Sequence, residues 1–178
     1  MNDPALPGLV HGTVQLAEWT PRWAELFTEE AARLRVALGD LAVAIEHYGS
    51  TSVPGLVAKP LLDILVGGPN STDASPYISA LAPLSYDYAA HAGVPDHFVF
   101  GRGLARTHLV HVVRYDGVAW HRALAFRDAL RRDAHLREVY ASQKRELAEL
   151  HALDRSRYTE EKRAFIDHVL QNHRDPPA

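Results

Sequence analysis

Apolar positions fall first into a helical stripe: Trp23, Leu26, Phe27, Ala31, Leu34 and Leu38 recur every three or four residues, with Glu30 set among them. Thr20 and Pro21 supply a cap and a first-turn proline ahead of it, and Gly39 stops it. Val43 and Ile45 then alternate with Ala44 and Glu46 up to Tyr48, which predicts a short strand running into Gly49. Leu61 to Val66 is an apolar run of strand length, interrupted by Asp63 and ended by Gly67-Gly68-Pro69-Asn70. Ser75 and Pro76 open a short helix over 76–82, and weaker strands are expected over 84–88 and 96–100. Gly101-Arg102-Gly103 turns the chain into a stronger strand over 106–113. After Tyr115-Asp116-Gly117 the spacing is helical to the end, in three stretches. Ala123, Phe126, Arg127 and Leu130 mark the first; Leu136, Val139, Tyr140, Gln143, Leu147 and Leu150 the second; Tyr158, Lys162, Phe165, Ile166, Val169 and Leu170 the third.

This order predicts an α/β (α+β) fold: a mixed β-sheet flanked by helices, with the C-terminal helices packing over it. Residues 42–47, 61–66 and 106–113 are expected as adjacent strands. Strand and helix do not strictly alternate, which argues against a doubly wound sheet. No repeat, low-complexity tract or long Gly/Ser linker divides the chain, so residues 1–178 are read as a single domain.

At 178 residues and 47% hydrophobic, the chain can bury a core without staples. It has no cysteine, which removes disulfides, zinc ribbons and thiol chemistry from consideration. No apolar run approaches the roughly 18 residues of a membrane span, and Met1-Asn2-Asp3-Pro4 does not open a signal peptide, so a cytoplasmic protein without a membrane partner is expected. The 19 Lys+Arg against 22 Asp+Glu offer no field for long nucleic acid. The balance shifts along the chain, from net -5 over 1–118 to net +2 over 119–170. Only Lys59, Lys144 and Lys162 among those cations are lysines, a bias that reads as composition rather than chemistry.

The densest chemistry lies between Ile45 and Ile64. Gly49 allows a sharp turn, and the N–H groups and hydroxyls of Ser50, Thr51 and Ser52 can donate to phosphate oxygens, with Lys59 as a point charge. The alternative is a plain turn whose hydroxyls bond internally. Neither a Walker loop nor a dinucleotide-fold glycine pattern is present. Asp63, between Leu62 and Ile64, is expected to face a cation, a metal or hydrogen-bond donors, because an unpaired carboxylate there costs several kcal/mol. A structural pair with Lys59 or an arginine is the other reading.

The string Glu46-His47-x-Gly49-Ser50-Thr51-Ser52-Val53-Pro54-Gly55-Leu56-x-x-Lys59-Pro60-x-x-Asp63 resembles the signature of the GrpB family, whose members have a nucleotidyltransferase-like fold. The likeness continues at Trp19, Pro21 and Trp23, at Arg106-Thr107-His108 with His111-Val112, and at Phe126-Arg127-Asp128 with Leu130. It extends to Tyr140 with Lys144 and to Tyr158 with Lys162 and Phe165, covering residues 14–170. In that superfamily a Gly-Ser ends one strand and two acids separated by one residue stand on the next. Gly49-Ser50 and Asp63 match that plan; the second acid is replaced by Leu65. Two-metal transfer needs carboxylates for two cations about 4 Å apart, which one aspartate does not provide.

The resemblance implies a binder of a nucleotide or other phosphorylated small molecule, with metal-assisted phosphoryl or nucleotidyl transfer as its chemistry. In that reading Ser50 and Asp63 are the catalytic pair, and Asp63 holds Mg2+ with Glu46 and His47 as further ligands. Gly49, Ser50, Thr51, Ser52, Lys59, Arg127 and His111 line the ligand. Arg127 occupies an inward helix position, where a phosphate or a carboxylate such as Glu46 or Asp63 would meet it. His108 and His111, three apart on one strand, point to opposite faces, so only one can face the site. The alternative implied by the resemblance is a non-catalytic accessory module for a coenzyme A pathway kinase such as dephospho-coenzyme A kinase, because the domain is found fused to that enzyme.

Overall fold

The first stripe forms helix α1 (Arg22–Leu38), where Thr20 Oγ1 accepts the Arg22 N–H at 3.3 Å beside Pro21. Strand β1 (Ala44–Tyr48) follows, then a 3-10 turn (Ser50–Ser52), β2 (Leu62–Gly68), α2 (Ser75–Leu81), β3 (Tyr86–Tyr88), β4 (Phe98–Arg102) and β5 (His108–Arg114). Helices α3 (Val118–Arg132), α4 (Ala134–Leu150) and α5 (Arg155–Asn172) complete the order. This computed structural model describes residues 3–10, 12–69, 73–90 and 96–172; Met1, Asn2 and Asn70 lie outside them.

The strands assemble as β1-β2-β5-β4-β3, with β2 and β5 parallel and the other neighbours antiparallel. The three strands expected side by side are therefore neighbours. Strand β2 runs on past Val66, because Gly67 and Gly68 pair with Val113 and Arg114 instead of turning away. Gly67 is required there for space: a Cβ would lie 2.8 Å from the Tyr115 ring and 3.0 Å from the Trp120 ring.

Alternation along the strands separates two faces. Leu62, Ile64 and Val66 of β2 join Val110, Val112 and Phe100 on one face, packed with Trp23, Leu34, Leu38, Tyr77 and Leu81 of α1 and α2. At about 1.5–3 kcal/mol for each fully buried large apolar side chain, this face supplies much of the drive to fold. The other face carries Tyr48, Asp63, Leu65, His111 and Val113 and is covered from α3 onward. It can therefore hold charge without emptying the main core.

Glu30, the polar member of the α1 stripe, is buried on the first face with its partners assembled. It accepts from Arg102 Nη1 at 2.7 Å, from the Tyr86 hydroxyl at 3.1 Å and from Arg33 Nη1 at 3.1 Å. Arg102 Nη2 also lies 2.8 Å from His108 Nδ1. Burial, with the Arg102 charge beside it, holds His108 down at about 4.

Candidate functional site

The turn after β1 is fixed by backbone geometry first. Gly49 has φ +71°, a left-handed value that favours glycine, and a Cβ there would collide with Asp63 Oδ2 and lie 2.8 Å from the Asp63 Cβ. The glycine thus brings the turn directly onto the carboxylate. Two of the three hydroxyl residues are bonded within or beside the turn: Ser52 Oγ donates to Gly49 O at 2.6 Å, and Thr51 Oγ1 lies 3.0 Å from His47 Nε2. Arg131 donates to Ser52 O through Nη2 at 2.7 Å and Nε at 3.0 Å, and Trp19 Nε1 donates to Thr51 O at 3.2 Å. Ser50 differs, because its side chain bonds the Tyr140 side chain and so belongs to the Asp63 side of the turn. On the turn's other side lies a groove of about 500 Å³, lined by Trp19, His47, Thr51, Ser52, Arg131 and Arg137 among others.

All three lysines of the chain converge on Asp63. Lys59 comes from the segment before β2, Lys144 from α4 and Lys162 from α5, and Arg155 joins them from the start of α5. Lys59 Nζ is 5.6 Å and Lys162 Nζ 4.5 Å from the centre of the Tyr158 ring. Lys144 Nζ is 5.4 Å from the centre of the Tyr140 ring and donates to Val57 O at 2.5 Å. Among the described residues no lysine is in ion-pair contact with the Asp63 carboxylate, which has His111 Nε2 at 3.9 Å and a side chain 28% exposed to solvent. His111 Nε2 and the Tyr158 hydroxyl are buried without a hydrogen-bond partner among the described residues.

The electrostatics follow from this crowding. Burial, with Lys162 and Arg155 adding repulsion, pushes Lys59 down to about 7. Lys162 falls to about 8 through burial, against the pull of Asp63. Lys144 is driven well below the ordinary lysine value by burial and the two other lysines. Burial raises the Asp63 carboxyl, while Lys59, Lys162, Arg155 and Lys144 pull it down. Burial, with His97 and Arg155 nearby, holds His111 down at about 3, so it is a neutral imidazole.

The expected metal set is not brought together. Glu46 accepts from Arg127 Nη1 at 2.8 Å, and His47 lies on the opposite sheet face, stacked on Phe27 at 4.7 Å and held down at about 3 by burial and by Arg131 and Arg127. Arg127 is occupied by Glu46, Asp128 and the His47 carbonyl, which is the carboxylate reading of its inward position. Leu65 is fully buried against Val113 and Trp120, so its place in the fold is core. His111 faces Asp63 and His108 faces Glu30, as alternation requires. The side chains around Asp63 do not fit a divalent cation. Asp63 is a single carboxylate with lysines from three parts of the chain around it, and their charge opposes that of such an ion.

Residues 13–172 match the family model described as GrpB protein. The chain belongs to the GrpB family. It is 32% identical to the glutamate-rich protein GrpB of Alkalihalophilus pseudofirmus over 92% of this chain and 97% of that protein. A UPF0157 protein of Streptomyces coelicolor is 38% identical over 86% of this chain and 80% of its own length. The crystal structure of conserved protein GrpB from Enterococcus faecalis superposes with a TM-score of 0.81 at 32% identity, covering 89% of this chain and 96% of that one. The Cid1 poly(U) polymerase with MgGTP bound superposes with a TM-score of 0.51 at 15% identity, over 74% of this chain and 44% of that one, a likeness of fold. This chain and that polymerase thus share a fold over the aligned part.

Sequence reasoning placed Gly49, Ser50, Lys59, Asp63 and His111 in one neighbourhood and passed over Lys144, Lys162 and Arg155. Two signals for the two lysines were present. In a chain with 19 Lys+Arg, three lysines are a rare type, and rarity makes their positions informative. Tyr140 with Lys144 and Tyr158 with Lys162 repeat one i, i+4 pair on consecutive helices, a spacing that puts both side chains on one face.

Proposed function

We propose that this GrpB-family chain binds a nucleotide or another phosphorylated small molecule at Asp63, between the Gly49–Ser50 turn and helices α4 and α5. The observation that carries the reading is the convergence of all three lysines on the one acid beside that turn, without ion-pair contact to it. Cations held apart around a solvent-reached carboxylate repel one another, and an anion between them relieves that repulsion. Ser50 would donate to a phosphate oxygen, Lys59 and Lys162 would neutralise it, and the Tyr140 and Tyr158 rings would wall the site. Leu65 in place of a second acid favours binding over rapid nucleotidyl transfer. The accessory-module reading, with a partner such as a coenzyme A pathway kinase, rests on the resemblance alone.

The test is thermal melting with each nucleoside triphosphate, inorganic pyrophosphate and phosphorylated coenzyme A precursors. A ligand at 100 times its Kd adds about 2.7 kcal/mol to the folded state, which raises Tm by roughly 5–10 °C in a chain of this size. Pyrophosphate release from the triphosphates, followed in parallel, separates binding from turnover. No shift with any phosphorylated compound overturns the proposal.

A further inference from the structure

We infer that the site at Asp63 takes its phosphate as a bare anion and not as a divalent-metal complex, with Lys59, Lys144 and Lys162 supplying the charge a metal would carry. The inference rests on the binding reading above and specifies its ligand: a free pyrophosphate or phosphate-ester polyanion.

Four features of the site point the same way. The cations arrive from three separate parts of the chain, the segment before β2, α4 and α5, and Arg155 at the start of α5 is a fourth cation. Lys144 is 1% exposed and is held by Val57 O and the Tyr140 face, so its amine is built into the site. Two side chains expected to ligate a metal with Asp63 are engaged elsewhere, Glu46 with Arg127 and His47 with Thr51, and the core residue Leu65 stands where a second acid is expected. The Tyr158 hydroxyl and His111 Nε2, without a hydrogen-bond partner among the described residues, are neutral groups that suit a phosphate oxygen or a bridging water. Asp63 is then the counter-charge that holds the lysines together when no anion is bound.

That assignment reverses the usual expectation for the aspartate. If Asp63 holds a metal for the ligand, Asp63→Asn abolishes binding; if it competes with the anion for the lysines, Asp63→Asn strengthens it. The experiment is calorimetric titration of the full chain with inorganic pyrophosphate, once in EDTA and once in excess magnesium. Folding of each variant is checked by circular dichroism. The expected results are binding in EDTA, weaker apparent binding in magnesium, and tighter binding by Asp63→Asn in EDTA. Lys162→Met should weaken binding about tenfold and Lys162→Arg should largely restore it. Binding that requires magnesium, or that Asp63→Asn abolishes, overturns the inference while leaving the binding site in place. No binding under either condition, with all variants folded, overturns the inference and the site together.

Discussion

The two faces of the sheet each bury a cluster of charge, and they do it in opposite ways. On the α1 side Glu30 is met at contact distance by Arg102, Arg33 and the Tyr86 hydroxyl, and Arg102 continues to His108. The network is closed: burial pushes the Glu30 carboxyl up, but the Arg102 hydrogen bond and charge win and hold it below the ordinary value. On the other side Asp63 faces three lysines with no ion-pair contact, and two polar atoms nearby have no partner among the described residues. There burial wins, and the acid is raised while the lysines are lowered. Charge that is satisfied internally is architecture; charge gathered and left unmatched is arranged for something outside the chain.

The largest effect should come from opening the closed cluster. Glu30→Ala leaves the Arg102 charge and the Tyr86 hydroxyl without their shared acceptor, a loss of about 3–5 kcal/mol and roughly 10 °C in Tm. Asp63→Asn should cost about 1 kcal/mol or less without ligand, because each lysine can titrate lower instead of staying charged. Urea melts of both variants measure the contrast. Equal losses would mean that the Asp63 cluster is also architecture.

Next in size is Gly49→Ala, about 2–4 kcal/mol, from a left-handed backbone and a methyl group driven against Asp63. It should also remove ligand-induced stabilisation, because relief of the clash moves the turn away from the carboxylate. A variant that melts several degrees lower yet keeps its full response to ligand would separate the turn from the site.

The adjacency of β1, β2 and β5 was readable because β2 and β5 carry strand-length apolar runs and β1, with its alternating pattern, leads through the Gly49 turn toward β2. Asp63 was readable for a local reason: it is the lone acid in a buried strand. Arg127 was placed facing inward correctly from helical spacing, but its choice of Glu46 depends on how α3 crosses β1, which no local pattern encodes. The lysines were harder still. Lys59 and Lys162 are more than a hundred positions apart and meet over Tyr158 only through the packing of α5, so the repeated Tyr-Lys spacing was visible while its destination was not.

The smallest expected effect is in pH, and its sign distinguishes the clusters. Lys59 and Lys162 titrate near 7 and 8 in the folded chain against 10.5 for a free lysine, so between those values the unfolded chain holds more protons. Stability without ligand should therefore rise with pH above 7, by about 1 kcal/mol or less because the site is partly solvated. Anion binding needs the protonated lysines, so the Tm increment from pyrophosphate should shrink over the same range. Glu30 acts at the other end of the scale: its value is lowered in the folded chain, so its contribution is lost as pH falls below the ordinary glutamate range of about 4.5. In melting curves from pH 6 to pH 9 the ligand-free Tm should thus rise while the increment from pyrophosphate shrinks for the wild type, and Lys59→Met should flatten both. A ligand increment that does not change with pH would mean that these lysines do not carry the charge that holds the anion.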